Sequence, residues 1–270
     1  MKNEKKEIRD VVRMDVFEQL EPDKRKYAEN VWDIIKNRRA MRWVYSLEEK
    51  PVSKEYFDLI INAGCQAPSP ENYQPWEFVV VTDLETRETI ARFGEIFCKY
   101  MFGGGQITWK EVASWRFGYM QKPAPIGTST ALMGTGWLMN YIRKSAIIAL
   151  AAQQGLVGAK HFTHIVPITA QQLASRLSIG CTFMAAQNIM LMAHALGLAT
   201  CFFNFPISSP ASEYKIAEML NIPYPEYVLI GFVSVAWPLF SRTLGPTRHD
   251  ANHKAWANKL GNAWENFREV

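Results

Sequence analysis

Three guanidinium groups stand within five residues in Asn37-Arg38-Arg39-Ala40-Met41-Arg42. A guanidinium fork matches phosphate oxygens in bidentate geometry, so this spacing suits a phosphate dianion. It suits equally a solvated helix end, where positive charge complements the helix dipole. Further along, Pro68-Ser69-Pro70-Glu71-Asn72-Tyr73-Gln74-Pro75-Trp76 sets a hydroxyl and two side-chain amides in a segment stiffened by three prolines. Such a loop can present donors and acceptors to the edge of a heterocycle, although Asn and Ser are also ordinary turn formers. Other candidates are weaker. Gly103-Gly104-Gly105 and Gly134-Thr135-Gly136 lack the strand before and the helix after that a phosphate-cradling loop needs. His161 with His164, and His249 with His253, have chelating spacings but no Cys or well-spaced carboxylate to complete either set, so no metal is expected. No Ser/His/Asp arrangement stands out, so no side-chain nucleophile is named as a catalytic group.

The elements that must position these residues follow from periodicity. Tyr27, Val31, Ile34 and Ile35 recur at helical spacing after Asp23, which predicts a helix ending near Asn37 to Arg39. A second helix is predicted from Ser53, burying Phe57, Ile60 and Ile61. The proline-rich segment is predicted as an ordered, non-helical loop feeding a strand over Phe78 to Val81. Leu84 to Tyr100 has a helical pattern, which then fails through Trp109, Trp115, Phe117 and Tyr119 to Gly136. A buried strand is predicted at Ala146 to Leu150, a long helix at Ala170 to Leu196, and strands at Ala199 to Phe203 and Val228 to Val235. Trp256, Leu260, Trp264 and Phe267 suggest an amphipathic final helix.

Composition bounds the class. The 270 residues are 48% hydrophobic with a net charge of +4 from 30 basic and 26 acidic side chains. That balance excludes disorder and gives no reason to expect nucleic-acid binding. The four cysteines (Cys65, Cys98, Cys181, Cys201) are scattered, which points to a reducing, cytoplasmic setting rather than a disulfide scaffold, and Cys201 reads as an inert core thiol. Met1 to Glu7 carries no apolar core with a cleavage site, so no secretory signal is expected and the mature chain is expected to start there. No charged residue occurs from Leu177 to Ser212, but Gln187, Asn188, His194, Gly197 and Pro206 favour a buried helix and strand over a membrane span. Residues 1–22 read as a charged arm and 23–270 as a single domain.

The arginine cluster and the proline loop occur in an order and spacing that resemble the nitroreductase family of flavoproteins. Its pattern of two basic residues, a small residue, a spacer and another basic residue is matched by Arg38-Arg39-Ala40-Met41-Arg42. Its Ala-Pro-Ser, two variable residues, then Asn-x-Gln-Pro-Trp and a strand are matched from Ala67 to Trp76 and on through Phe78-Val79-Val80-Val81. The block Ala185 to Thr200 is similar to the family's central helix and its exit through Gly197. Leu220-Asn221-Ile222-Pro223 and Val228 to Phe232 resemble its closing helix and strand, after which Arg248 stands where a late basic residue meets the phosphate. Two departures are Ala40, where the family favours Ser or Thr, and Glu71, where small residues are common.

The resemblance implies an α+β, three-layer fold with a central, mostly antiparallel sheet flanked by helices, in a domain-interlocked homodimer holding two FMN molecules at the interface. Arg38, Arg39, Arg42 and Arg248 would carry the phosphate and the ribityl or pyrimidine side, with Ala40 among them. Pro68, Ser69, Asn72 and Gln74 would border the ring, and the second chain would supply Asn204, Phe205 and Pro206. An insertion near 100–142 would cover the substrate, with Trp109 and Trp115 stacking on a planar aromatic acceptor. The implied reaction is ping-pong: NADH or NADPH reduces the flavin, and a nitroaromatic or quinone takes the electrons. Relatives with reductive dehalogenation or flavin fragmentation, a flavin carrier without turnover, and a non-flavin basic module are the alternatives.

Overall fold

The computed structural model describes residues 17–102, 140–155, 168–240, 254–257 and 259–261. Two compact units emerge: residues 38–242, and a smaller one drawn from residues 1–37 and 243–270.

In the larger unit the elements are α2 (Lys54–Cys65), β1 (Trp76–Val81), α3 (Leu84–Phe102), α4 (Asn140–Lys144), β2 (Ala146–Gln153), α5 (Ile168–Ala195), β3 (Ala199–Phe203), α6 (Pro210–Met219) and β4 (Tyr227–Ala236). The smaller unit contributes α1 (Pro22–Asn37). Every predicted element of the larger unit is present within a few residues, while the five-residue α4 lies where the pattern could not be read.

The sheet order is β1-β2-β4-β3, and all three pairings are antiparallel. β2 is a continuous apolar run, Ala146-Ile147-Ile148-Ala149-Leu150-Ala151-Ala152, because both its faces are covered. Ala146, Ile148, Leu150 and Ala152 meet Phe57 and Ile60 of α2 and Ala186 and Ile189 of α5. Ile147, Ala149 and Ala151 meet Ile90 and Ala91 of α3, Tyr141 and Ile142 of α4, and Ile216 and Ala217 of α6. The strand period of two therefore feeds two separate cores, giving helix, sheet and helix layers.

Two close approaches hold this arrangement. Gly64 on α2 lets Ile189 of α5 come so near that a Cβ would stand 2.8 Å from its Cγ1. Buried Arg87, only 1% exposed, ties the start of α3 to the end of α4 through Thr82 O at 3.1 Å and through Arg143 O, and its guanidinium pairs with Glu48. Among the described residues no helix is long and apolar enough to cross a membrane.

One expectation is corrected, and one is met with its face left open. Around Trp256 and Leu260 the described residues form turns, bends and a single β-bridge at Trp256 rather than an amphipathic helix; Trp264 and Phe267 lie outside the described residues. The stripe Tyr27, Val31 and Ile35 is on a helix as expected, yet none of α1 is buried, and Tyr27 is 76% exposed. A helical period marks which residues share a face, not what covers it.

At Gly231, with φ +151°, a Cβ would lie 2.5 Å from Phe202 Cζ and 3.0 Å from Phe203 O. Gly231→Ala is expected to cost about 1–3 kcal/mol of stability by overpacking, read as a lowered urea midpoint with an unchanged slope.

Candidate functional site

The arginine segment is extended and fastened to the edge of the sheet. Ala40 bridges Thr200 in parallel, Met41 N donates to Thr200 O at 2.9 Å, and Val44 bridges Pro238. Buried Met41 and Val44 anchor it in the core. Its side chains then part company. Arg38 and Arg39 act on His194, near the end of α5: burial first, and then their two positive charges, hold its imidazole below the ordinary value. Arg39 also donates from its guanidinium to Arg38 O at 2.8 Å. Arg42 goes to the α3/α4 layer, where its guanidinium carbon stands 5.9 Å from the Tyr141 ring centroid. A cavity of about 190 Å³ opens there between Arg42, Trp43, Asn140, Tyr141 and Lys144.

The proline loop is held in an unusual conformation. A single 3-10 turn, Pro70–Asn72, interrupts what the prolines suggested would be wholly non-helical, and Glu71 within it is left-handed at φ +53°. Asn72 and Gln74 are also left-handed, at φ +57° and +47°. Ser69 organises these residues: its Oγ accepts from Gln74 N at 2.9 Å and its carbonyl accepts from Asn72 N at 3.1 Å. The Gln74 amide donates to Asn72 Oδ1 at 3.3 Å, and both side chains are exposed along with Pro68. Trp76 and Ala67 fix the base of the loop against Cys181 and Ala185 of α5. The Tyr73 hydroxyl is buried with no hydrogen-bond partner among the described residues, and burial raises its pKa.

The third predicted group follows β3. Exposed Asn204 opens a 3-10 turn, Phe205–Ile207, in which Phe205 stacks on Phe97 at 5.9 Å and Pro206 is buried.

Register separates the arginines from the loop. Ala40 lies beside Thr200, one residue from Ala199, which pairs with Ala236 at one end of β4. Trp76, which ends the loop, pairs with Ala152, and Ala152 pairs with Val228 near the other end of β4. Val228 to Ala236 spans roughly 26 Å of strand. The two groups also occupy opposite edges of the sheet, β3 and β1. Helix α5 gives a second ruler: the loop sits over Cys181 and Ala185, the arginines act on His194, and the rise between them is roughly 14–20 Å. Within one chain, the loop residues do not meet the arginines.

Arg248, Trp109, Trp115, the His161/His164 and His249/His253 pairs and nearly all of the expected 100–142 cover lie outside the described residues. Among the described residues no group of three or more His, Cys, Asp or Glu stands together. Burial pushes the Cys98 thiol up to about 11, as expected of an inert core cysteine. Three side chains beside the predicted groups were not singled out from sequence as site residues: His194, Tyr73 and Tyr141. His194 had one readable signal, a titratable residue three positions before the Gly197 exit of a helix whose only Lys, Arg, Asp or Glu is Arg176. Tyr141 had none, since it borders the unreadable third.

A family model, the nitroreductase family, matches residues 35–237. The iodotyrosine deiodinase of Danio rerio is 25% identical over 207 residues, covering 73% of this chain and 61% of that protein, so the chain spans less than two thirds of its length. Among solved structures, the NfrA1 nitroreductase of B. subtilis superposes with a TM-score of 0.58 at 15% identity, covering 88% of this chain and 78% of that one. An FMN-dependent nitroreductase from Clostridium difficile gives 0.53 at 20% identity, covering 84% and 98%. These two likenesses establish the fold.

Two outcomes follow from the local chemistry. Because the His194 pKa lies below its ordinary 6.5, the unfolded chain binds a proton that the folded one refuses. Stability contributed by neutral His194 is therefore present above pH 6.5 and lost as pH falls through the lower folded value. Urea midpoints across that range should fall with pH in the native chain and fall less in His194→Gln. Left-handed backbone at Glu71 costs about 1–2 kcal/mol, part of which glycine relieves. Glu71→Gly should therefore leave the melting temperature unchanged or raised, whereas Glu71→Val should lower it.

Proposed function

The chain belongs to the nitroreductase family, and we propose that it is an FMN-dependent oxidoreductase working as a homodimer. The observation that carries this reading is the loop from Pro68 to Gln74. Three non-glycine residues there are held left-handed, and two exposed amides stand on it. Backbone strain of this kind persists where the surrounding structure overrides it, and it clusters at ligand clamps.

The residues fit the cofactor. Arg38 and Arg39 lie on a pinned sheet edge with His194 beside them, a donor set suited to a phosphate. Asn72 and Gln74 supply directional donors and acceptors for a polar ring edge. FMN held there would supply hydride chemistry between NADH or NADPH and an electron-poor aromatic acceptor such as a nitroaromatic or quinone. The protein binds, orients and shields; no side chain of this chain is assigned a covalent step. Arg248 is proposed to join the phosphate set, and Trp109 and Trp115 to stack on the acceptor.

Separation along the sheet supports a site completed by a second chain. A two-fold axis crossing α5 between Cys181 and His194 carries the loop of one copy toward the arginines of the other. This revises the expected division of labour: the partner supplies Pro68, Ser69, Asn72 and Gln74, while Asn204, Phe205 and Pro206, which follow the same β3 strand that Ala40 pairs with, belong to the arginine side. The outer face of α5 supports a covered interface, since Leu173, Leu177, Phe183 and Met184 are exposed on a helix whose one Lys, Arg, Asp or Glu is Arg176.

A second reading, reductive dehalogenation, is favoured by the similarity to iodotyrosine deiodinases. Both readings use the same scaffold and differ in the acceptor.

The purified protein is expected to be yellow and to bleach with NADPH or NADH in the absence of oxygen. Recovery of colour on adding a nitroaromatic or quinone supports the reductase. Recovery only with an iodinated phenol, with release of iodide, supports the dehalogenase. A colourless protein that takes up no added FMN overturns both, and bound flavin that no donor reduces leaves a carrier or flavin-fragmenting relative.

A further inference from the structure

The cavity of about 190 Å³ beside α4 is lined by two cations, Arg42 and Lys144, and by the Asn140 amide. No carboxylate is among its described lining residues. Lys144 has no ion-pair partner among the described residues, although the residue before it does: Arg143 pairs with Glu95 at 2.7 Å. Glu48 is likewise engaged elsewhere, by buried Arg87. Two like charges facing one small space repel, and an anion placed between them removes that cost.

The walls of the cavity are fixed. Leu239 N donates to Trp43 O at 3.0 Å and Leu47 N donates to Lys144 O at 2.9 Å, so residues 43–47 are tied both to the exit of β4 and to α4. Arg42 lies with its guanidinium carbon 5.9 Å from the centroid of the Tyr141 ring, and that ring is buried. The two cations therefore stand on restrained backbone, which lowers the ordering cost of binding.

Size and charge narrow the occupant. At about 190 Å³ the cavity falls below the roughly 300–1,000 Å³ of a pocket for a whole drug-sized ligand, so it suits one terminal group of a larger molecule. Two positive charges and an amide match a phosphate monoester dianion better than a single carboxylate. In the functional reading above the flavin's own phosphate meets Arg38 and Arg39, and neither lines this cavity. NADPH differs from NADH by one phosphate monoester on its adenosine ribose.

We propose that this cavity is a second anion site that receives the 2′-phosphate of NADPH, with Lys144 and Arg42 setting a preference for NADPH over NADH. The inference rests on the FMN-dependent reading above and names the electron donor for it.

Calorimetric titration of the wild-type protein tests the site without turnover. Adenosine 2′-monophosphate is expected to bind about 10-fold or more tightly than adenosine 5′-monophosphate, and Lys144→Gln is expected to erase most of that difference. Turnover of the FMN-loaded protein with a quinone should give a higher kcat/KM with NADPH than with NADH. That ratio should fall about 10-fold in Lys144→Gln and return in Lys144→Arg, which keeps the charge. Equal affinity of the wild-type protein for the two nucleotides overturns the proposal, and so does a ratio that Lys144→Gln leaves unmoved. A Lys144→Gln protein that loses affinity for FMN but not for riboflavin also overturns it, because the cavity then takes the flavin's phosphate. Should Lys144→Gln fail to fold, the wild-type titration and Lys144→Arg decide: both must prefer the 2′-monophosphate. A wild-type protein that binds no FMN fails the functional reading itself, an outcome distinct from a protein that binds FMN and does not tell the two nucleotides apart.

Discussion

The antiparallel register of β2 is the constraint from which the rest of the structure follows. β2 pairs on one side with β1 and on the other with β4, and it is buried on both faces. A slip of one residue would exchange the two cores, sending Ile148 and Leu150 away from α5 and Ile147 toward it. With that register set, Trp76 must lie level with Val228, and Ala199 level with Ala236. The loop that precedes β1 and the arginine segment that borders β3 are consequently carried to opposite corners of one sheet. The proposed site therefore takes its arginines from one copy and its loop from the other, and the exposed apolar face of α5 is consistent with that proposal.

Burial explains why the scaffold tolerates two demanding features. Three left-handed residues in a seven-residue loop would be costly in isolation, yet Ala67 and Trp76 lock its base onto α5, and Ser69 takes up its backbone donors. Likewise the Tyr141 ring is packed into an apolar layer edge-on to Phe203, with the Arg42 guanidinium carbon 5.9 Å from its centroid. In both places polar chemistry is supported by packing from behind.

Much of this was legible in the sequence, and the parts that were not have distinct physical causes. Strands β1 to β4 announced themselves because each is an apolar run bounded by turn residues, and α2 and α5 because their buried stripes repeat at helical spacing. The site loop was readable because its prolines exclude regular structure. Helix α4 was not, since five residues are too few to display a period. The ending around Trp256 misled because bulky apolar residues at helical intervals need not be helical. Proximity across the sheet was hidden for a different reason: residues adjacent in a motif, such as Arg39 and Arg42, serve opposite faces of an extended edge, and pattern alone does not say which face.

The most direct test of the two-chain site is complementation between two inactive variants. One chain carries Arg39→Gln and Arg42→Gln; the other carries Ser69→Ala and Asn72→Ala. Each alone should bind little FMN. After the two are unfolded together and refolded, mixed dimers join intact arginines from one copy to an intact loop from the other, so FMN binding should return at one site per mixed dimer. If the mixture binds no more FMN than the separate variants, while wild-type protein treated the same way recovers fully, arginines and loop act within one chain and the account is wrong.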